Sequence, residues 1–229
     1  MRLNKYIAHS GICSRRKADE LIKKGFVSVN GKIVKDFSSD VNIEDDVKIF
    51  GKKIIPENKV YIKLNKPVGF ISSNYDPHNK NSVIDLVKVE ERIFPIGRLD
   101  KDSHGLILLT NDGEISNKII HPSKKIDKEY IVKVSRNLKE YELEKFRSGI
   151  LIDGKKTSDA NIEKINEKLY KVIIHEGMNR QIRKMFKYFN VYVLDLKRIK
   201  IGEIKLDNLE EGKFVRLTSK EIKYLRNLK

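Results

Sequence analysis

The chain has 229 residues, 39 % of them hydrophobic and 35 % charged, with a net charge of +16. That length holds one moderate domain, or a small module plus a larger one, with enough apolar side chains for a core. The charge asks for a polyanionic partner; because the apolar runs are too short to span a bilayer and MRLNKYIAHSG carries no apolar stretch of a secretory leader, a membrane partner is not expected and nucleic acid is favoured.

In chain order, Leu3, Tyr6 and Ile7 have the i, i+3, i+4 spacing of a short helix, which Gly11 ends. Ser14 is placed to cap a second helix with Ala18, Leu21 and Ile22 on its apolar face, stopped at Gly25. FVSVNGKIV alternates on either side of Asn30-Gly31, a strong hairpin signal. Val41 to Ile49 reads as a further strand pair with acidic residues 44–46 at its turn, and GKKIIPENK (51–59) reads as a linker. A strand begins at Tyr61 and stops near Asn65-Lys66-Pro67. Residues 74–81 are polar and loop-like, 83–89 suggest a short helix, and LILLT (106–110) suggests a buried strand. Further along, 115–120, 140–146 and 179–189 read as helices. The stretches 128–134, 160–165, 169–175, 191–201 and 212–217 read as strands, and Thr218 with Glu221 forms a capping box for a last helix. The organisation is a small module at 1–50, a linker at 51–59 and an α+β domain at 60–229.

Cys13 is the single cysteine. No intrachain disulfide is possible, and a reducing, cytoplasmic setting is expected. No Cys/His cluster has zinc spacing. Charge placement says more than total charge. Residues 1–36 hold nine Lys/Arg against three Asp/Glu, and 178–205 hold eight against two, which suggests two contact surfaces. In SRRKADEL, Arg15, Arg16 and Lys17 fall at the first turn of a helix, where positive side chains are locally unfavourable; an external phosphate would account for them, and a solvated basic helix end is the alternative.

Asp100, in GRLDKDSHGLILLTNDG (97–113), stands just ahead of a buried strand, which costs free energy unless something pairs with the carboxylate. The plain reading is a turn aspartate. The other starts from EGMNRQIRKM (176–185): an inward-pointing Arg183 would pair with Asp100 and hold it ionised as a nucleophile, whereas an outward-pointing Arg183 would bind phosphate. Tyr130, on the alternating strand KEYIVKV, fits core packing. The five histidines have no evident partners and read as loop or surface residues. Asp100, Asp102 and Asp112 together raise a two-metal nuclease, although all three come from one stretch of chain.

RLNKYIAHSGICSRRKADELIKKGFVSVNGKIV resembles the αL RNA-binding module. GRLDKDSHGLILLTNDG, KEYIVKV and EGMNRQIRKMF, in that order and joined by KLNKPVG (63–69) and GKFVRLTSKEI (212–222), resemble the motifs of pseudouridine synthases of the RsuA/RluB/RluE/RluF family. The likeness covers essentially the whole chain and is greatest to the RluF subgroup, which modifies large-subunit ribosomal RNA. It implies an α+β fold with a mixed, largely antiparallel sheet flanked by helices. It also implies cofactor-free isomerisation of a uridine to pseudouridine, most readily in 23S rRNA, after the base is flipped out of its stack. By resemblance Asp100 is the nucleophile, attacking ribose C1′ or base C6; Tyr130 lies against the uracil, Arg183 pairs with Asp100, and Arg98 fills the space the uridine leaves. Arg2, Lys5, Arg15, Arg16 and Lys17 of the module, with Arg98, Arg180 and Lys184, are the expected RNA contacts. Ser103 stands where many relatives have threonine, Met178 where some have a polar or basic residue, and no long basic tail follows residue 229. A monomer is the default expectation, and transfer RNA stays open as a second substrate. The alternative function is a non-catalytic rRNA-binding or ribosome-assembly factor on the same fold.

Overall fold

The computed structural model describes residues 1–73 and 81–228; most of the expected 74–81 loop, with His78, lies outside them. The chain divides into two compact units, Met1–Val60 with Val89–Ile93, and Tyr61–Lys88 with Phe94–Lys229.

In the first unit, α1 (Leu3–His9) buries Leu3, Tyr6 and Ile7, and α2 (Arg15–Lys23) buries Ala18 and Ile22. The Ser14 hydroxyl accepts from the Lys17 N–H at 3.3 Å, satisfying one free donor of the α2 first turn. β1 (Val27–Val29) and β2 (Lys32–Ile33) form the expected hairpin, with Asn30 and Gly31 both at positive φ. The expected strand pair over 41–49 does not form. Only β3 (Val47–Ile49) is strand, and it pairs with β1. The reason is local: the Asp45 carboxylate accepts from the Asn42 N–H at 2.7 Å, which takes that donor into a turn instead of a ladder, and from Asn30 Nδ2 at 2.9 Å, which fixes the turn. The stretch read as a linker also begins inside this sheet. Phe50 (φ 50°) and Gly51 (φ 76°) turn the chain back so that β4 (Lys52–Lys53) pairs with β3. Cys13 packs, half-buried, against the apolar cluster of this unit.

The second unit runs β5 (Tyr61–Lys66), a 3-10 turn (Val83–Leu86), β6 (Phe94–Ile96), β7 (His104–Thr110), α3 (Gly113–Ile120) and a second 3-10 turn (Pro122–Lys124). It continues with β8 (Lys128–Val134), α4 (Glu140–Arg147), β9 (Leu151–Ile152), β10 (Lys155–Lys156), β11 (Asn161–Asn166), β12 (Leu169–Ile174) and α5 (Gln181–Lys187). β13 (Val193–Ile201), β14 (Ile204–Lys205), β15 (Phe214–Arg216) and α6 (Ser219–Asn227) close it. Its main sheet has the order β11-β12-β8-β13-β7-β5-β15, with β14 on β13 and β6 on β7. β13 and β7 are parallel, and the other described pairs are antiparallel, so the sheet is mixed as expected.

Two apolar clusters hold this unit. In one, Phe146 of α4 and Tyr170 of β12 meet Phe186 of α5 at ring-centroid distances of 5.1 and 6.0 Å. Tyr170 Oη accepts from the Leu138 N–H at 2.9 Å, so its buried hydroxyl is satisfied. Full burial of each such ring stabilises the fold by about 2 to 3 kcal/mol. The other cluster gathers Leu106 and Leu108 of β7, Ile115 and Ile119 of α3 and Leu225 of α6. The parallel seam sets Gly105 opposite Arg198. Gly105 has φ 101°, and a Cβ there would collide with the Arg198 backbone oxygen, so only glycine allows this approach.

Candidate active site

The loop from Leu99 to Ser103 precedes β7 and is held residue by residue. The Ser72 hydroxyl donates to the Leu99 carbonyl at 2.9 Å and accepts from its N–H at 3.0 Å. The Gly69 N–H donates to the Lys101 carbonyl at 2.8 Å. Lys66 Nζ donates to the Ser103 carbonyl at 2.7 Å and to its neighbour Pro67 at 3.0 Å. The Ser103 N–H closes a turn onto the Asp100 carbonyl at 3.1 Å. The KLNKPVG stretch thus has a physical task, since Lys66 and Gly69 anchor the segment that presents Asp100. Lys66 is fully buried. Burial pushes its ammonium down to about 8, against the pull of Asp102 and Asp100.

The second support is the turn before α5. Gln181 Oε1 accepts from the Met178 N–H at 3.0 Å, and its Nε2 donates to Glu176 at 2.6 Å. Glu176 in turn accepts from the Ser158 N–H at 2.9 Å. Arg180, just ahead of α5, sits in the left-handed region at φ 51°, which costs a non-glycine residue about 1 kcal/mol. That conformation accompanies a bidentate pair with Asp102, at 2.9 and 2.7 Å.

The expected pairing of Arg183 with Asp100 is not what these elements build. Arg183 Nη2 donates to the Asp102 carbonyl at 2.7 Å and to Ser103 Oγ at 3.2 Å, and Nη1 donates to the Val193 carbonyl at 3.1 Å. Its Nε lies 3.5 Å from the Asp102 carboxylate. The cation that approaches the Asp100 carboxylate is Arg180, at 3.8 Å. The cause is directional: Arg183 lies within the first turn of α5 and is drawn to the loop backbone and to β13, while Arg180 at the helix entry faces the carboxylates. Asp102 is the more tightly held of the two acids. The Arg180 hydrogen bonds, and then the charge of Arg183, keep it below the usual carboxylate range despite its partial burial.

These groups open on a cavity of about 490 Å³, lined among others by Arg98, Asp100, Tyr130, Arg180 and Arg198. A cavity of that size takes a nucleotide. Tyr130 belongs both to the β8 side of the core and to this lining, so the two sequence readings of it coexist. Lys184 is paired with Asp153 and reaches Asn179 at 3.4 Å, which leaves it less free for RNA than its sequence position suggests. Arg98 is exposed at the cavity.

In the first unit, Arg15, Arg16 and Lys17 are exposed at the start of α2. Arg15 reaches Asn4 at 3.4 Å, and Lys17 pairs with Glu20 at 2.7 Å. Arg2 donates to the Ser38 carbonyl, and Lys5 is half-buried on α1.

Three carboxylates do not converge. Asp112 caps α3 through the Glu114 N–H at 3.1 Å and accepts from Tyr61 Oη at 2.8 Å, so it serves the scaffold. One histidine departs from its surface reading: His104 is on β7, and its Nε2 lies 3.0 Å from Asp195. Residues that sequence reasoning passed over are Lys66, Lys128 and Arg198. Lys66 and Lys128 stand at strand ends and Arg198 among other charged residues of β13, so none of them had a signal in the sequence.

Residues 60–188 match the family described as RNA pseudouridylate synthase, and residues 1–47 match the S4 domain. Over 99 % of this chain and 96 % of the relative, the chain is 43 % identical to the ribosomal large subunit pseudouridine synthase B of Bacillus subtilis. It is 40 % identical to the dual-specificity RNA pseudouridine synthase RluF of Escherichia coli K12, over 97 % of this chain and 77 % of the relative. These near-equal identities carry the family rather than a subgroup. A solved structure titled as a pseudouridylate synthase superposes with a TM-score of 0.72 at 33 % identity, covering 98 % of this chain and 99 % of that one.

Proposed function

The chain belongs to the RNA pseudouridylate synthase family, and from that premise we propose that it isomerises a uridine of ribosomal RNA, most readily of the large subunit, with Asp100 as nucleophile. The observation that carries the assignment of Asp100 is its presentation. Four anchors fix the backbone around it, at Ser72, Gly69, Lys66 and Arg183, while its own carboxylate stays in the cavity with a cation at 3.8 Å. A reacting group must be held to within a fraction of an ångström yet remain free to form a bond, and that combination is what this loop supplies. Large-subunit RNA enters through one relative, named a ribosomal large subunit pseudouridine synthase, and through the basic first unit.

In this reading the target nucleotide leaves its stack, because a stacked uridine hides the reacting atoms. Asp100 attacks C1′ or C6, Tyr130 lies against the ring, the glycosidic bond to N1 breaks, and the ring rejoins through C5. Arg180 and Arg183 keep the loop charged and placed by way of Asp102. One relative is named dual-specificity, and in this reading transfer RNA is the second substrate class. The test is tritium release from rRNA labelled at uridine C5, run in chelator with wild type and Asp100→Asn. Release by wild type alone, with RNA affinity equal in both, is the expected result. Equal release by both would remove Asp100 from the chemistry. No release by either, with tight RNA binding, would favour a binding or assembly factor.

A further inference from the structure

Two cations at the floor of the cavity have no part in the chemistry described so far. Arg198 lies on β13, in register with Tyr130 on β8 and with Gly105 on β7. It is 5 % exposed, and its Nε donates to the Leu106 carbonyl at 2.7 Å. Its Nη2 is buried without a hydrogen-bond partner, and among the described residues no carboxylate pairs with the guanidinium. A buried donor left unpaired costs about 1 to 3 kcal/mol, and more when charged. Lys128 also lines the cavity and donates to the His175 carbonyl at 3.0 Å. Burial, then the charge of Arg198, presses its ammonium down to about 8, with Asp127 opposing. A floor with two positive groups and an unused donor is incomplete until an electron-rich acceptor arrives.

We propose that Arg198, backed by Lys128, binds a carbonyl oxygen of the flipped uracil and stabilises the negative charge that the ring carries while it is detached from, or loosened on, the ribose. The inference rests on the isomerase reading above. If Asp100 attacks C1′, the electron pair of the C1′–N1 bond stays with the ring, as an anion shared between N1 and the carbonyl oxygens O2 and O4. The C5–C1′ bond then forms as the carboxylate leaves; the C5 proton departs to solvent and N1 takes one up, so no atom is gained or lost overall. If Asp100 adds to C6, the displaced π electrons again settle on a carbonyl oxygen. Both routes place charge where a fixed, buried guanidinium acts most strongly. A backbone phosphate is the other acceptor an arginine takes. It stays at the mouth with the rest of the strand, where Arg98 is exposed, whereas Arg198 lies beside Tyr130, on which the base rests.

The test is a single-turnover cycle on an RNA stem-loop carrying the mapped target as uridine, 2-thiouridine or 4-thiouridine. Sulfur accepts hydrogen bonds poorly, so the oxygen-to-sulfur rate ratio reports a donor on that atom. Arg198→Met should slow the oxygen substrate about 10²-fold with RNA affinity nearly unchanged. At one of the two positions the wild-type ratio should exceed the Met variant's by about tenfold. Arg198→Lys should recover part of the rate. Equal ratios in wild type and Arg198→Met at both positions would overturn the proposal. So would a joint loss of affinity and salt dependence, which would mark a phosphate contact. Should Arg198→Met fail to fold, the wild-type ratios are read alone, and ratios near one at both positions again overturn it. A wild type that releases no tritium from any RNA would instead sink the isomerase reading itself.

Discussion

Replacing Lys66 with methionine separates what a buried ammonium costs the fold from what it does for the Asp100 loop. The drop from 10.5 to about 8 corresponds to roughly 3 kcal/mol favouring the neutral amine in the native state. Below pH 8 the native and unfolded chains both carry the proton, so the native state bears the full cost. Between pH 8 and 10.5 the native state has released a proton that the unfolded chain still holds, and stability rises with pH. Wild type should therefore gain up to about 3 kcal/mol on Lys66→Met between pH 7 and pH 10.5. Lys128 titrates similarly but is common to both proteins and drops out of the difference. At pH 7 the lost ammonium relieves the cost, but the Pro67 and Ser103 carbonyls lose their donor, at about 1 to 3 kcal/mol each if left unpaired. The two effects nearly cancel, and the variant should lie within about 2 kcal/mol of wild type there. Urea denaturation of both proteins at half-unit steps of pH measures the difference. A difference that stays constant from pH 7 to 10 would refute the reasoning. In the same variant, turnover should fall while RNA affinity holds, because the anchor lost is that of the loop and not of the RNA.

Two further outcomes are expected. Replacing Arg15, Arg16 and Lys17 together with alanine should weaken rRNA binding and lower the slope of log K against log salt by about 2, as several phosphate contacts vanish; filter binding across a salt series measures it, and an unchanged slope would remove the start of α2 from the interface. Arg180→Ala should cost less than about 1 kcal/mol of stability, since its pair with Asp102 is open to water on both sides. Single-turnover rates should nonetheless fall about tenfold or more, and a normal rate would assign Arg180 to the scaffold alone.

Most elements were legible because their apolar spacing is regular. β8 buries Tyr130, Val132 and Val134 in alternation, and α6 is announced by Thr218 and Glu221, whose capping box forms as spaced. The misreadings have a shared cause. At 41–49 the apolar pattern suggested strands, but the Asp45 side chain offered the backbone a better local partner than a ladder did. β4 and the pair of β9 and β10 have two residues per strand, too few for any period to show. Positive φ at Phe50 and Asp153 makes these turns; Asp153-Gly154 is a hairpin dipeptide, whereas Phe50 carries no turn signal beyond the glycine that follows it.

The site was legible as a set of motifs but not as a set of contacts. Sequence order brings Asp100 and the arginines of EGMNRQIRKM together only in prospect, and which arginine meets which acid depends on the entry angle of α5. That angle is set by Arg180 in its left-handed conformation and by Gln181 tying Met178 to Glu176, none of which has a one-dimensional signature. The result divides the work between two acids. Asp102 absorbs both guanidinium groups, and its backbone carries Arg183, so the loop is rigid and its net charge is compensated. Asp100, two residues earlier, has one cation at a looser 3.8 Å. In the proposed chemistry, a nucleophile tied into a full bidentate pair would have to break two charged hydrogen bonds before reacting, adding to the barrier. Placing the tight pair on the neighbour keeps Asp100 available.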